Sequence, residues 1–272
     1  MLLAFIGIAS AIIAGGGIDF SIGPLLFVTV TVITAAAGAN GLTNYLDRNL
    51  DARMERTRNR SLPSKRIDPP EKVLPLTIGL VVIGFALAWF ITSHNAWHPA
   101  FLADLAGTTA SLVWRKRATC VFPQGMIAGC APVLIGWFAV NPHFSWELAL
   151  LCVLIGLWLP LHVWSVMVAH RDEYIKAGIT YFPINIETVT TFKLLSGFVL
   201  ALAVAAIAIY FIGGFSMVYL VTAAILSAVM IYATFRLKGP DMSRSAWRLY
   251  KLSSFPYLGL IFLVMSIDVW LK

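Results

Sequence analysis

Nine runs of apolar residues, at about 2–18, 25–43, 73–92, 99–114, 124–140, 147–169, 194–212, 216–235 and 252–271, take up most of this 272-residue chain. A helix needs about 20 mostly apolar residues to cross the hydrocarbon core, and a backbone in lipid has to satisfy its own hydrogen bonds. The runs have helical length and lack the short alternation of barrel strands. Composition agrees: 59% of residues are hydrophobic and 12% charged, against roughly 25% charged in soluble domains. The sequence therefore predicts a single integral-membrane domain over 1–272, all-α and polytopic, with nine transmembrane helices. Little is left for a soluble domain, since the longest polar stretch is the 45–72 connection.

A net charge of +7 raises the question of a nucleic-acid partner, and the placement of the charge answers it. The connections at 45–72, 115–123, 170–193 and 236–251 hold eight, three, three and five Lys/Arg, and the alternate connections hold none. Bases on one side only are the signature of a membrane topology, so no nucleic acid is expected. The basic loops are assigned to the cytoplasm, with the amino terminus inside, the carboxyl terminus outside and the chain in the cell membrane. The first run has the length of a signal peptide but no basic n-region, and it is read as a first span whose basic leader would lie upstream. Cys120, Cys130 and Cys152 form no CxxC pair and are read as small core residues.

Two basic loops also carry acids. In NYLDRNLDARMERTRNR, at 44–60, Asp47, Asp51 and Glu55 follow one another at four-residue spacing. On a helix each step rises about 6 Å and drifts about 40° around the axis, so the acids share a face, which Asn44 joins. Like charges so placed call for a cation, and hard oxygen donors suit Mg2+. Five arginines between positions 48 and 60 supply guanidinium forks for phosphate oxygens. The plainer alternative is a solvated juxtamembrane loop whose acids and bases pair weakly.

The second loop, HRDEYIKAGITYFPI at 170–184, shifts that balance. It repeats the pattern with Asp172 and Glu173 beside Arg171 and Lys176 at the same end of a different span. Two acid clusters on one side can face each other across a central cavity opening to the cytoplasmic side and hold a metal–diphosphate. Neutralising diphosphate makes it a leaving group. An isoprenoid tail would lie among the helices, with aromatic faces from Trp114, Trp137, Trp158, Trp164, Tyr174 and Phe182 as candidate walls for an allylic cation.

These motifs resemble those of the UbiA-type intramembrane prenyltransferases. NYLDRNLD is similar to the family's Asn-x-x-Asp-x-x-x-Asp motif, and MERTRNRSLPS to its Arg-Thr-x-x-Arg-x-Leu-Pro segment. Within the superfamily the chain looks like a protoheme IX farnesyltransferase. WRKRAT followed by GMIAGCAPVLIGWFAV, LPLHVWSVMVAHRDEYIKAGITYFPI and the ending AWRLYKLSSFPYLGLIFLVMSID carry that likeness from residue 25 onward. The resemblance implies nine helices, Mg2+, and transfer of farnesyl from farnesyl diphosphate to a vinyl group of haem b, giving the hydroxyethylfarnesyl side chain of haem O.

Carried over position by position, the resemblance gives Asn44, Asp47, Asp51 and Glu173 the metal and catalytic roles. Arg56, Arg60, Arg117, His162, Asp172, Tyr174 and Lys176 become substrate-binding positions. Glu173 stands where the family tends to have aspartate, Asn49 replaces an acid, and Thr180 replaces proline. The Lys-Pro-Arg segment that precedes the family's first span is absent from this sequence. His162 is a candidate ligand of the haem iron, weighed against a hydrogen-bonded core histidine. Asp104, inside an apolar run, receives no catalytic role. Another acceptor (a quinone precursor, a chlorophyll-like ring or a glycerol phosphate), or a non-catalytic haem-binding protein or transporter, stays open from the residues alone. So does docking onto a haem A synthase or a terminal oxidase assembly.

Overall fold

The structure is a computed structural model that describes residues 2–16, 22–113, 124–180, 182–238 and 241–271. It is all-helical, with no strand among the described residues. The helices are α1 (Leu2–Gly15), α2 (Ile22–Asp51), α3 (Leu74–Ile91), α4 (Pro99–Val113), α5 (Gln124–Phe138), α6 (Trp146–Ala169), α7 (Arg171–Lys176), α8 (Thr188–Gly213), α9 (Met217–Phe235), α10 (Met242–Leu252) and α11 (Leu260–Trp270). Among the described residues, six stretches are long and apolar enough to cross a membrane: Ile22–Asp51, Pro70–Ile91, Trp146–Ala169, Thr188–Gly213, Met217–Phe235 and Met242–Trp270.

Packing follows chain order around a ring. From α1 the contacts run through α2, α3, α4, α5, α6, α8, α9 and α11 and back to α1, while α1 also crosses the ring to α5. Lipid gives no hydrophobic drive between helices, so close backbone approach at small residues takes over. Gly38 faces the Val81 backbone, Gly84 faces Ala35, and Gly136 lies against the Gly7 carbonyl. The outer surface is apolar, with Leu26, Val82, Phe90, Val204, Phe211 and Ile225 exposed. Three buried hydroxyls are satisfied locally: Thr31, Thr92 and Ser165 each donate to the carbonyl four residues back. Tyr219 donates across to Ala206 O at 2.7 Å and ties α9 to α8.

Two stretches read from the sequence as loops are partly helical. Met242–Leu252 forms α10, whose amphipathic face packs on α6 and whose N-cap Asp241 accepts from Arg244 N at 2.9 Å. Its low overall hydropathy hides it from a search for spans. A wide π turn over Ser253–Gly259 then joins α10 to α11. It contains Pro256, which has no N–H to give an ordinary helical ladder. The second region is α7, a short helix inside the 170–193 connection. Cys130 and Cys152 are free thiols in the wall between α5 and α6, and Cys120 lies outside the described residues.

Candidate active site

α2 continues well past its apolar run, so Asn44, Asp47 and Asp51 share one helix. Asp47 and Asp51 are buried, at 4% and 1% exposure, and Asn44 is exposed. The helix stops at Asp51, which corrects the extension of the acid face to Glu55. After Ala52 the backbone bonds tighten to Arg53 N→Leu50 O and Met54 N→Asp51 O. Met54 is fully buried, and Thr57 Oγ1 donates to Asp51 O at 2.9 Å. Burying Met54 and anchoring Thr57 pull the chain round, and Glu55 is left at the surface opposite Arg58.

That reversal brings Arg60 back over the acids. Arg60 Nη1 donates to Asp51 Oδ2 at 3.0 Å and to Asn44 Oδ1 at 3.2 Å. Two oxygens from different turns of α2 thus converge on one cationic group. The donors are carboxylate and amide oxygens, the hard set that suits magnesium, so the residues present fit that ion.

α7 meets this loop through Glu173. Its Oε1 accepts from the Arg56 backbone N–H at 2.6 Å, across 117 residues of chain, and its Oε2 lies 3.5 Å from His170 Nδ1. Burial and the Arg56 charge hold His170 below its ordinary pKa, with Glu173 pulling the other way. Burial raises the Tyr174 hydroxyl, and the Arg56 guanidinium beside it acts in the opposite sense. Tyr174 is thus a protonated donor at neutral pH. Asp172 and Lys176 are exposed and, with Arg53, Arg171, Glu173 and Ser243, line a cavity of ≈ 530 Å³ at this end of the bundle.

The second motif therefore joins the first at Arg56. Among the described residues, no three carboxylate, imidazole or thiol side chains gather closely enough to hold a metal ion between them. Arg117 and Trp114 lie outside the described residues.

His162 sits deeper on α6. Its Nδ1 is 2.9 Å from Ser253 Oγ, and its ring stacks on Trp158 at 4.7 Å and lies tilted against Tyr250 at 4.3 Å. Tyr250 in turn stacks on Trp247, and Trp247 meets His170 edge-on. An aromatic file thus runs from His162 to the acid-lined cavity. Trp158 donates to Ser253 O at 2.5 Å, and Trp164 packs edge-on against Phe182 and Phe198. Trp137 is at the opposite end, donating to His143 O in the turn after α5. His170, Ser253 and the α10 aromatics escaped the sequence reading. Only His170 had a signal there, three residues before Glu173.

Comparison with known proteins places this geometry. Residues 2–255 match the UbiA prenyltransferase family. The chain is 34% identical over its whole length to a protoheme IX farnesyltransferase of Desulforudis audaxviator, covering 85% of that protein. It is 34% identical over 86% of its length to protoheme IX farnesyltransferase 1 of Picrophilus torridus (78% of that protein), and 31% identical over all of it to protoheme IX farnesyltransferase 2 of Cenarchaeum symbiosum (92%). Among solved structures, it superposes on a digeranylgeranylglyceryl phosphate synthase with TM-score 0.78, at 19% identity, covering 99% of this chain and 94% of that one. The TM-score is 0.69 against a UbiA homolog from Archaeoglobus fulgidus bound to GPP and Mg2+, at 13% identity, covering 100% and 96%. The fold, the motif geometry and the family match agree: the chain belongs to the UbiA prenyltransferase family.

Proposed function

We propose that this protein transfers a farnesyl group from farnesyl diphosphate to a vinyl group of haem b and so makes haem O. The observation that carries this reading is the junction of the two acid-bearing loops at Arg56 and Glu173, in a chain whose full-length relatives are named protoheme IX farnesyltransferase.

Asn44, Asp47 and Asp51 on the first loop, and Glu173 on the second, would offer oxygens from two sides to magnesium bound with the diphosphate; the solved A. fulgidus homolog is bound to GPP and Mg2+. When bound, that ion neutralises diphosphate charge and makes it a better leaving group. Arg56, Arg60, Arg117 and Lys176 bind phosphate oxygens or haem propionates, and Tyr174 donates a hydrogen bond. Asp172 borders the cavity and steers its cations. Burial of Asp47 and Asp51 keeps water from competing for them and strengthens every charge interaction there. The farnesyl C1–O bond breaks with its electron pair leaving on diphosphate. The vinyl π electrons close the new C–C bond, the carbocation this leaves next to the ring adds water, and the proton that water then loses goes to the departing diphosphate. His162, oriented by Ser253 and flanked by Trp158 and Tyr250, lies on the acceptor side.

We assign nine crossings, the six long stretches together with α1, α4 and α5. The amino terminus is inside, and the acid-lined cavity opens to the cytoplasm. The reaction is tested by incubating membranes containing the protein with haem b and farnesyl diphosphate and searching for haem O by mass. Haem O is the expected product. Prenylation of an aromatic acid with none of haem would overturn the reading.

A further inference from the structure

Asp104 has no part in the reading above. It lies on α4 at 3% exposure, and its Oδ1 accepts from Thr108 Oγ1 at 3.3 Å. Its Oδ2 is buried with no hydrogen-bond partner. A carboxyl oxygen buried without a partner is disfavoured, so the position calls for an explanation. Asp104 borders a cavity of ≈ 160 Å³ walled by α1, α2, α4, α5 and α6.

The register of α2 relates this cavity to the acids. Its α2 wall is Val32, Ala35, Ala36, Ala39 and Asn40. Steps of seven and eleven residues carry Asn40 onto Asp47 and Asp51, and a step of eleven carries Ala36 onto Asp47, each within about 20° around the α2 axis. The cavity is thus the inward continuation of the acid-bearing face. Asn40 lies at its end nearer the acids. Val32 on α2, and Asp104 near the start of α4, which runs in the same direction as α2, lie at its far end.

We propose that the cavity receives the far end of the donor's isoprenoid chain and that Asp104 sets the longest chain accepted. This rests on the prenyl-transfer reading. Alanine and glycine walls present apolar surface to an isoprenoid. The volume is close to that of an engineered cavity of about 150 Å³ that takes one benzene ring, which leaves room for about one five-carbon unit. A longer chain would press apolar atoms onto Asp104 Oδ2 and seal it from any hydrogen-bonding group. Specificity then comes from rejection of the extra unit.

The test compares kcat/KM for geranyl, farnesyl and geranylgeranyl diphosphate with haem b as acceptor, each donor measured on the same preparation of the full chain. Ratios between donors are independent of how much of a variant folds. Asp104→Ala is expected to raise the geranylgeranyl-to-farnesyl ratio about tenfold, the size of one relieved buried polar group. Asp104→Leu fills the floor and is expected to shift the preference toward geranyl. Ratios within about twofold of wild type in both variants, movement of both in the same direction, or a wild type indifferent to chain length would overturn the proposal. If either variant is inactive, Asp104→Ser supplies the same ratio and is read the same way. A wild type that transfers no prenyl group to haem b from any donor would instead overturn the parent reading.

Discussion

At the residue scale, the acids differ in what holds them. Asp51 is buried against Arg60, whose side chain keeps 44% exposure, so removing the carboxylate leaves a guanidinium that water can re-solvate. Asp47→Ala and Asp51→Ala should therefore each lower turnover by about 10²–10³-fold, typical of losing one preorganised charge-stabilising group, while the protein stays folded in the membrane. Haem O production and elution of the detergent-extracted variants by size exclusion check this together. Normal activity in both would remove the metal–diphosphate site. Three- and four-residue spacing made Asn44, Asp47 and Asp51 legible in the sequence. It gave the wrong answer for Glu55, because burial of Met54 and the Thr57–Asp51 bond end the helix and neither shows as a local pattern. Ser253 as partner of His162 was illegible for a similar reason: 91 residues separate them.

At the scale of elements, the long spans were readable because an apolar run of helical length has few alternatives in lipid. α10 was not, since half its surface is polar and its burial depends on α6. What fixes helix spacing is smaller still. A methyl group on Gly136 would land on the Gly7 carbonyl oxygen of α1, a backbone atom with nowhere to go. Gly136→Ala should cost about 1–3 kcal/mol, as overpacking does. Gly197, on α8, has nothing within 4 Å of the same position, and Gly197→Ala should be neutral or slightly stabilising by helix propensity. Thermal unfolding of the two variants in the same detergent compares them, and equal midpoints would mean the α1–α5 contact is looser than it looks.

At the scale of the whole molecule, the bias of Lys and Arg to alternate connections predicts an orientation that chemistry can test. In a variant lacking the native cysteines, a cysteine placed at His143, in the turn between α5 and α6, should react with a membrane-impermeant maleimide from outside intact cells. One at Ser243, on the cavity rim, should react only after permeabilisation. The reverse pattern would invert the topology and put the acid-lined cavity on the far side.

The Arg56–Glu173 bond also bears on how such a protein is made. A growing chain translated as far as α5 already carries Asn44 through Arg60, yet the carboxylate that will receive the Arg56 amide is still to be translated. Until α6 has crossed and α7 has turned, Asp47 and Asp51 wait at the membrane edge without the second loop. Maturation of the site is therefore tied to the order of synthesis, and a ribosome that stalls before residue 173 leaves a protein with spans but no completed junction.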